Sequence, residues 1–215
     1  EAVAGADLSA LSALVAKSLL HRTESGRYDL HELVRQFALD HLRKDEAEYL
    51  EAQDRHSEYY SQLLQRRGDD FKSMDQPRVG AELAAEIANL RQAWRWAGER
   101  GQALQVGQAA DTLFWLYESR CDCREGVPLF GYVAKSLEVG SPSARGVVPN
   151  PDQIRDIARA RVMAYQGFFC LRQGRHPQSR ELLQRSLEIL RPLAQGGSST
   201  AEESLPYTLG FLGMV

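Results

Sequence analysis

A single histidine lies where a strand pattern changes into a helix pattern, in the stretch GRYDLHELVRQFALDHL (26–42). His31 follows the end of the strand pattern, and Leu30, Val34 and Phe37 then recur at helical spacing. An imidazole N–H can donate to a phosphate oxygen, and its protonation responds to its surroundings. A histidine at such a junction can equally be a helix-start or packing residue. His31 is therefore a candidate binding residue, with a structural role as the alternative.

The three cysteines do not have the spacing of a metal site. Cys121 and Cys123 form a C-x-C pair, and Cys170 lies far away in the sequence. A structural zinc site needs four ligands, usually in paired C-x-x-C or histidine arrangements. We therefore predict turn or buried cysteines and no metal site.

The other polar residues show no catalytic pattern. His56 lies on an apolar helix face and is predicted to pack, His176 falls in a turn, and His21 and His41 have no recognisable partners. Carboxylates are frequent, but they are scattered at positions typical of a solvated helix face. No G-x-S-x-G or H-E-x-x-H motif is present. The sequence thus predicts no catalytic residues and no enzyme.

Composition excludes several classes of protein. The 215 residues are 43% hydrophobic and 26% charged, and the net charge is −3. A nucleic-acid-binding protein usually has a basic excess, which is missing here. No apolar run approaches the length of a membrane span, and nothing suggests secretion, so we expect a cytoplasmic protein. The first residue is not methionine and the last ones are apolar, so we expect a piece of a longer chain.

Helical patterns dominate the elements that would position these residues. The N-terminal part reads as a short helix, a two-stranded hairpin with Gly26 at its tip, and a second helix. The following segments are predicted as a helix over 46–66, a polar linker over 66–80 and a helix over 83–98. Gly, Ser and Pro residues over 140–152 predict a loop. Further helices are predicted over 102–119, 125–139, 152–173 and 176–191, with another after the breaker at 194–200.

The apolar stripes of these helices predict the core. Five large side chains should be buried between helices: Leu90, Trp94, Leu113, Phe168 and Leu187.

The helical hairpin over 163–191 has small and large residues at the spacing of a tetratricopeptide repeat (TPR). Gly167 lies where the first helix needs a small residue, and Gly174 falls in the turn. Ser179 takes the small position of the second helix, and Leu183 takes the large apolar one. A Leu-Gly pair ending at Gly210 repeats the Gln-Gly pair that ends at Gly167.

The hairpin therefore resembles a TPR, and residues 102–138 resemble a more divergent copy. It departs from the family because Met163 and Cys170 replace consensus aromatic residues. Generic helical hairpins remain the alternative.

The N-terminal part resembles the end of the winged-helix domain of STAND-type ATPases, the bacterial relatives of NB-ARC switches. The resemblance is carried by residues 11–42, with Leu30-His31-Glu32 in place of the family's Met-His-Asp signature, and by residues 83–101. It implies that His31 contacts the β-phosphate of ADP and holds an inactive state. ATP or ADP with magnesium is implied for the full-length protein only. These 215 residues contain no G-x-x-x-x-G-K-[ST] loop, so we expect no cofactor in this fragment.

Direct DNA binding is not predicted. The stretch DLSALSALVAKS, which would be the recognition helix, offers only Lys17 as a cation. In the wing, Arg22 and Arg27 are balanced by Glu24 and Asp29, whereas phosphate binding needs several cations on one face.

These observations predict a mainly α fold, with a partial winged helix and small β-hairpin followed by an α-solenoid of TPR-like helical hairpins. The predicted domains are the end of a winged helix (1–45), a helical connector (46–101) and TPR-like repeats (102–215).

The predicted function is that of a non-catalytic regulatory and protein-interaction fragment of a STAND-type signalling ATPase or transcription regulator. Its expected partners are a protein or peptide on the repeat surface and the missing nucleotide-binding domain of the same chain. A free-standing TPR adaptor or scaffold without a nucleotide switch is the alternative.

Overall fold

Helices make up most of the chain in the computed structural model, which describes residues 3, 5, 7–24, 26–71, 76–139 and 150–215. The chain divides into two units, Glu1–Tyr59 and Tyr60–Val215. The helices and strands of the described residues are α1 (Leu8–Ala16), β1 (Leu20–Arg22), β2 (Tyr28–Leu30), α2 (Glu32–Leu42), α3 (Glu46–Phe71), α4 (Gln76–Ala85), α5 (Ile87–Glu99), α6 (Ala103–Ser119), α7 (Cys123–Val139), α8 (Pro151–Arg172), α9 (His176–Gln195) and α10 (Ser199–Gly213). The predicted mainly α fold with one small hairpin is confirmed.

The first unit contains the predicted helix, hairpin and helix. β1 and β2 pair in antiparallel register, with Leu20 opposite Leu30. Gly26 in the turn has a φ of 81°, which a side chain would disfavour. Asp7 caps α1 by accepting a hydrogen bond from the backbone N–H of Ala10 at 2.8 Å.

The polar linker predicted over 66–80 is wrong for the residues that the structure describes there. α3 continues to Phe71, and α4 begins at Gln76. The continuation has a packing reason, since Phe71 is buried and Gly68 lies close to the hydroxyl of Thr112. The polar residues at the end of α3 therefore lie on the solvent-exposed face of a helix. Residues 72–75 lie outside the described part.

The helix predicted over 83–98 is two helices. α4 ends at Ala85 and α5 begins at Ile87, with Glu86 between them. The Glu86 carboxylate accepts hydrogen bonds from the hydroxyl of Tyr60 at 3.2 Å and from the side-chain amide of Asn89 at 2.7 Å. The break thus coincides with a contact from a residue far away in the sequence.

The core of the second unit is built around aromatic rings. Four of the five predicted core residues are buried, whereas Phe168 is only partly buried and its neighbour Phe169 is fully buried. The Phe114 ring stacks on the Tyr165 ring with centroids 4.2 Å apart. The rings of this cluster belong to Phe114, Phe130, Tyr165, Phe168, Phe169 and Phe211.

Four turns between successive helices share one geometry. In each, a residue with positive φ ends the helix, and the next residue donates its N–H to a carbonyl five residues back. The positive-φ residues are Gly101, Cys121, Gly174 and Gly197. Cys121, with a φ of 55°, is the residue of these four that is not glycine. This shared turn produces the series of helical hairpins.

The hairpin of α8 and α9 packs as the small-residue spacing predicts. A Cβ on Gly167 would lie 2.9 Å from Cγ of Leu183 and 3.3 Å from the carbonyl oxygen of Ser179. The Ser179 hydroxyl is buried and donates to the carbonyl oxygen of Gly167 at 2.8 Å. Gly167 therefore lets the two helix backbones approach closely.

The glycines at the close contacts of α7 bring it near α5 and α8, and not near α6. A Cβ on Gly126 would lie 2.7 Å from the Phe169 ring of α8. On α5, a Cβ on Gly98 would lie 3.2 Å from Val133 of α7. The close approach seen between α8 and α9 is thus made by α7 with its neighbours α5 and α8.

Within the loop predicted over 140–152, Pro151 begins α8, and residues 140–149 lie outside the described part.

Candidate functional site

His31 is the capping residue of α2. Its Nδ1 accepts a hydrogen bond from the backbone N–H of Leu33 at 3.3 Å, and its side chain is exposed. Beside it, Asp29 accepts from the guanidinium of Arg35 at 3.0 Å, which ties the end of β2 to α2. The structure thus places His31 at a helix start, which is the structural alternative, and leaves its side chain exposed, while contact with ADP stays a prediction.

The first unit exposes large apolar side chains around this junction. Neither α1 nor α2 buries a residue completely. Phe37 is 73% exposed and Leu33 is 69% exposed. The exposed large apolar residues described in this unit are Leu8, Leu14, Val15, Leu19, Tyr28, Leu33, Phe37 and Tyr59. Apolar surface of this density is typical of a contact surface.

The cysteines take the turn and core positions predicted for them. Cys121 is exposed in its turn, while Cys123 and Cys170 are buried. Burial raises the pKa of the Cys123 thiol, which keeps it protonated and unreactive at neutral pH. No group of three or more His, Cys, Asp and Glu side chains within the described residues could hold a metal ion.

A cleft of about 320 Å³ lies between α6, α8 and α10 in the second unit. We call it the three-helix groove, and its polar and aromatic lining residues are Asp111, Arg161, Tyr165, Glu203, Ser204, Tyr207 and Thr208. Each of the three helices contributes side chains, so the groove exists only when successive hairpins stack.

The wall of the three-helix groove is a hydrogen-bonded cluster. The Asp111 carboxylate pairs with the Arg161 guanidinium and accepts from the hydroxyl of Tyr165 at 2.5 Å. Arg161 also donates to the carbonyl oxygen of Gly107 at 3.3 Å. Burial, and then the neighbouring Asp111, raise the pKa of Tyr165, so its hydroxyl remains a donor at neutral pH. The cluster fixes charged and polar groups in place, as a binding surface requires.

The rim of the same groove is open to solvent. Tyr207 on α10 is 54% exposed. Glu203 is exposed and makes no ion pair within the described residues. An aromatic ring beside an unpaired carboxylate suits a partner that brings apolar surface and a basic or N–H donor group.

Sequence reasoning found His31 but not the three-helix groove. Asp111 and Arg161 are 50 residues apart and show no shared periodicity. The one local signal was the TPR-like spacing. It predicted the helical hairpin that contains α8, but it did not indicate the polar residues of the groove.

Comparison with known proteins gives one set of relatives. The chain is 33% identical over 129 residues to proteins of Mycobacterium bovis and Mycobacterium tuberculosis named "Putative HTH-type transcriptional regulator". It is similar to part of a bacterial regulator. The match covers 59% of this chain and only 14% of each relative. No protein-family profile and no solved structure matches the chain.

The similarity fits a regulatory role for the chain. It is compatible with the mainly helical architecture. None of the described helices has both the length and the apolar composition needed to cross a membrane.

Replacing His31 by alanine is expected to change the free energy of unfolding of this chain by no more than about 0.5 kcal/mol, as for other surface sites. The exposed ring makes one long capping hydrogen bond, which is all that the substitution removes. His31→Asn keeps a capping acceptor and should melt like the wild type. Denaturant unfolding of both variants, followed by circular dichroism, measures the difference.

The same pair of variants tests the sensor role in the full-length protein. A nucleotide sensor requires that His31→Asn, stable in the fragment, still speeds ADP release from the intact protein. A large loss of stability with unchanged ADP release would show that the histidine is structural.

Proposed function

We propose that the chain is a non-catalytic regulatory and protein-interaction fragment of a STAND-type signalling ATPase or transcription regulator. In this proposal, TPR-like repeats in the second unit sense a protein or ligand. The observation that carries it is the three-helix groove, which stacked hairpins form and which presents fixed polar groups and an exposed aromatic ring. Stacked helical repeats commonly bind partners on such surfaces.

The packing of α8 on α9 supports the TPR-like assignment. Gly167, Ser179 and Leu183 meet at the closest approach of the two helices. A small residue facing a small residue, with a large apolar residue beside them, is the arrangement that the repeat needs. The relatives named as transcriptional regulators support the regulatory part of the proposal.

The first unit supports a role in a switch. Its exposed apolar residues provide a surface on which the nucleotide-binding domain of the same chain would pack. ATP or ADP with magnesium would bind in that domain, with His31 reaching the nucleotide from the end of β2. A Walker-A motif about 200–250 residues upstream would agree with the size of such a domain.

A free-standing TPR adaptor without a nucleotide switch is the second candidate. The α8–α9 packing favours it equally, because that packing involves no residue of the first unit. The adaptor would capture the same partners with and without ATP, whereas the switch would not.

Replacing Tyr207 by alanine is expected to weaken partner binding to the full-length protein by about tenfold. The ring is exposed at the groove rim, and tyrosine is enriched among the interface residues whose truncation costs more than about 1 kcal/mol of binding free energy. Partners captured with and without ATP would be identified, purified and titrated against wild type and variant.

Leu104→Ala is the matched control for this experiment. Leu104 is 48% exposed at the start of α6 and does not line the groove. Equal affinities of the Tyr207→Ala and Leu104→Ala variants would exclude the groove as the binding surface.

A further inference from the structure

A second cleft, of about 660 Å³, lies between α5, α6 and α7. It shares no lining residue with the three-helix groove. We call it the arginine cleft, and its charged and tyrosine lining residues are Arg91, Arg95, Tyr117, Arg124, Glu125 and Tyr132. Its volume lies in the range of ordinary ligand sites.

Two of the guanidinium groups in the arginine cleft are held against tyrosine rings. The guanidinium of Arg95 lies 4.3 Å from the centroid of the Tyr132 ring. The guanidinium of Arg91 lies 5.5 Å from the centroid of the Tyr117 ring, and its Nε donates to the Tyr117 hydroxyl at 2.5 Å. The Tyr132 ring orients the planar guanidinium of Arg95 and leaves N–H groups at its edge free to donate, whereas Arg91 is held at the hydroxyl edge of Tyr117.

The tyrosine under Arg95 is itself fixed. The Tyr132 hydroxyl donates to a carboxylate oxygen of Glu99 at 2.5 Å. That hydrogen bond, together with burial, raises the pKa of Tyr132, so the hydroxyl stays protonated at neutral pH. The platform for Arg95 is therefore in place before any ligand arrives.

The charges in the arginine cleft do not balance. Arg91 forms an ion pair with Glu125. Arg124 is exposed and has no ion-pair partner within the described residues, and Arg95 contacts Tyr132, whose hydroxyl is bonded to Glu99 outside the lining. The lining residues thus carry three guanidinium groups and one carboxylate, a positive excess in a chain whose net charge is −3.

Apolar side chains form the rest of the cleft. Pro128 is exposed in the lining, Leu129 is buried there, and the Tyr117 ring is buried beside Arg91. A ligand that fits must therefore carry carboxylates and apolar groups together.

We propose that the arginine cleft binds an acidic peptide segment of a partner protein, whose carboxylates pair with Arg95 and Arg124 and whose apolar side chain packs on Pro128. Arginine is well suited to carboxylates because its planar fork donates two parallel hydrogen bonds. Nucleic acid fits less well, because phosphate backbones are bound by many cations along one face and this cleft offers two. The proposal stands apart from the function of the three-helix groove.

Fluorescence anisotropy with this 215-residue chain tests the proposal. The probe is a short fluorescein-labelled peptide of Asp, Glu and Leu, compared with the same peptide in Asn, Gln and Leu. We expect the acidic peptide to bind with micromolar affinity and the neutral one to bind at least about tenfold more weakly, since charge-assisted hydrogen bonds are lost.

Three single substitutions locate the binding. Arg95→Gln and Arg124→Gln should each weaken the acidic peptide by about tenfold. Arg180→Gln removes the same charge from an exposed position on α9 and should leave the affinity unchanged. Thermal melts check that the variants are folded, which the exposure of Arg95 and Arg124 leads us to expect.

Several results would overturn the proposal. These are absence of peptide binding, equal binding of both peptides, and equal effects of the three substitutions. Tighter binding of single-stranded DNA that depends on Arg95 and Arg124 would make the cleft a nucleic-acid site. Self-association that Arg124→Gln abolishes would make the occupant a second copy of the chain.

Discussion

Replacing Trp94 by alanine is expected to lower the free energy of unfolding by about 3–5 kcal/mol. The Trp94 side chain is fully buried, and its ring packs against the Phe130 ring with centroids 4.6 Å apart. Its Nε1–H donates to the carbonyl oxygen of Val106 at 3.2 Å. Truncation would leave a cavity between α5, α6 and α7 and a buried carbonyl without its donor. Denaturant unfolding followed by circular dichroism measures the loss.

Trp96→Ala on the same helix is the matched control. Trp96 is only partly buried and lies outside the core cluster around Trp94. Its truncation removes the same number of atoms from a less buried position, so we expect a smaller loss of stability. If both variants lost the same stability, or if Trp94→Ala unfolded like the wild type, the burial of Trp94 would be wrong.

Helical spacing predicted the core of α5 because its apolar residues follow one face. Leu90, Trp94 and Ala97 recur at that spacing, and all three are fully buried. On α8 the same reasoning selected Phe168 in place of Phe169. That helix buries residues around most of its circumference, so spacing alone does not choose between adjacent aromatic residues.

The boundaries that sequence reasoning missed depend on distant residues. The break at Glu86 involves the hydroxyl of Tyr60, 26 residues earlier. The extension of α3 to Phe71 depends on burial that the polar neighbours of that residue conceal. The local sequence pattern indicates neither of these contacts.

The sequence predicted the His31 junction but neither cleft, because the clefts also depend on residues that are distant in the sequence. A strand ending at a helix start is a local event, so the sequence shows it. The Asp111–Arg161 pair and the Arg91–Glu125 pair each join helices that only the folded chain brings together. Repeat spacing predicted where helices stack, but not which polar side chains the stacking would gather.

Gly167 provides the sharpest test of that stacking. Gly167→Ala is expected to lower the free energy of unfolding by about 1–3 kcal/mol, as overpacked sites do. The added Cβ would lie 2.9 Å from Cγ of Leu183, which is fully buried, and 3.3 Å from a backbone oxygen of α9. Because a branch-point atom and a backbone atom are the neighbours, the helices themselves would have to move apart.

Gly210→Ala should instead raise the free energy of unfolding, although the repeat pattern in the sequence places Gly167 and Gly210 at equivalent positions. Gly210 lies on α10 and no described residue comes within 4 Å of an added Cβ. Alanine there would gain helix propensity and stabilise the chain by up to about 1 kcal/mol. Denaturant unfolding of both variants compares an occupied small-residue position with an open one. A gain at both positions would mean that α8 and α9 do not approach closely at Gly167, and the TPR-like packing would then be wrong.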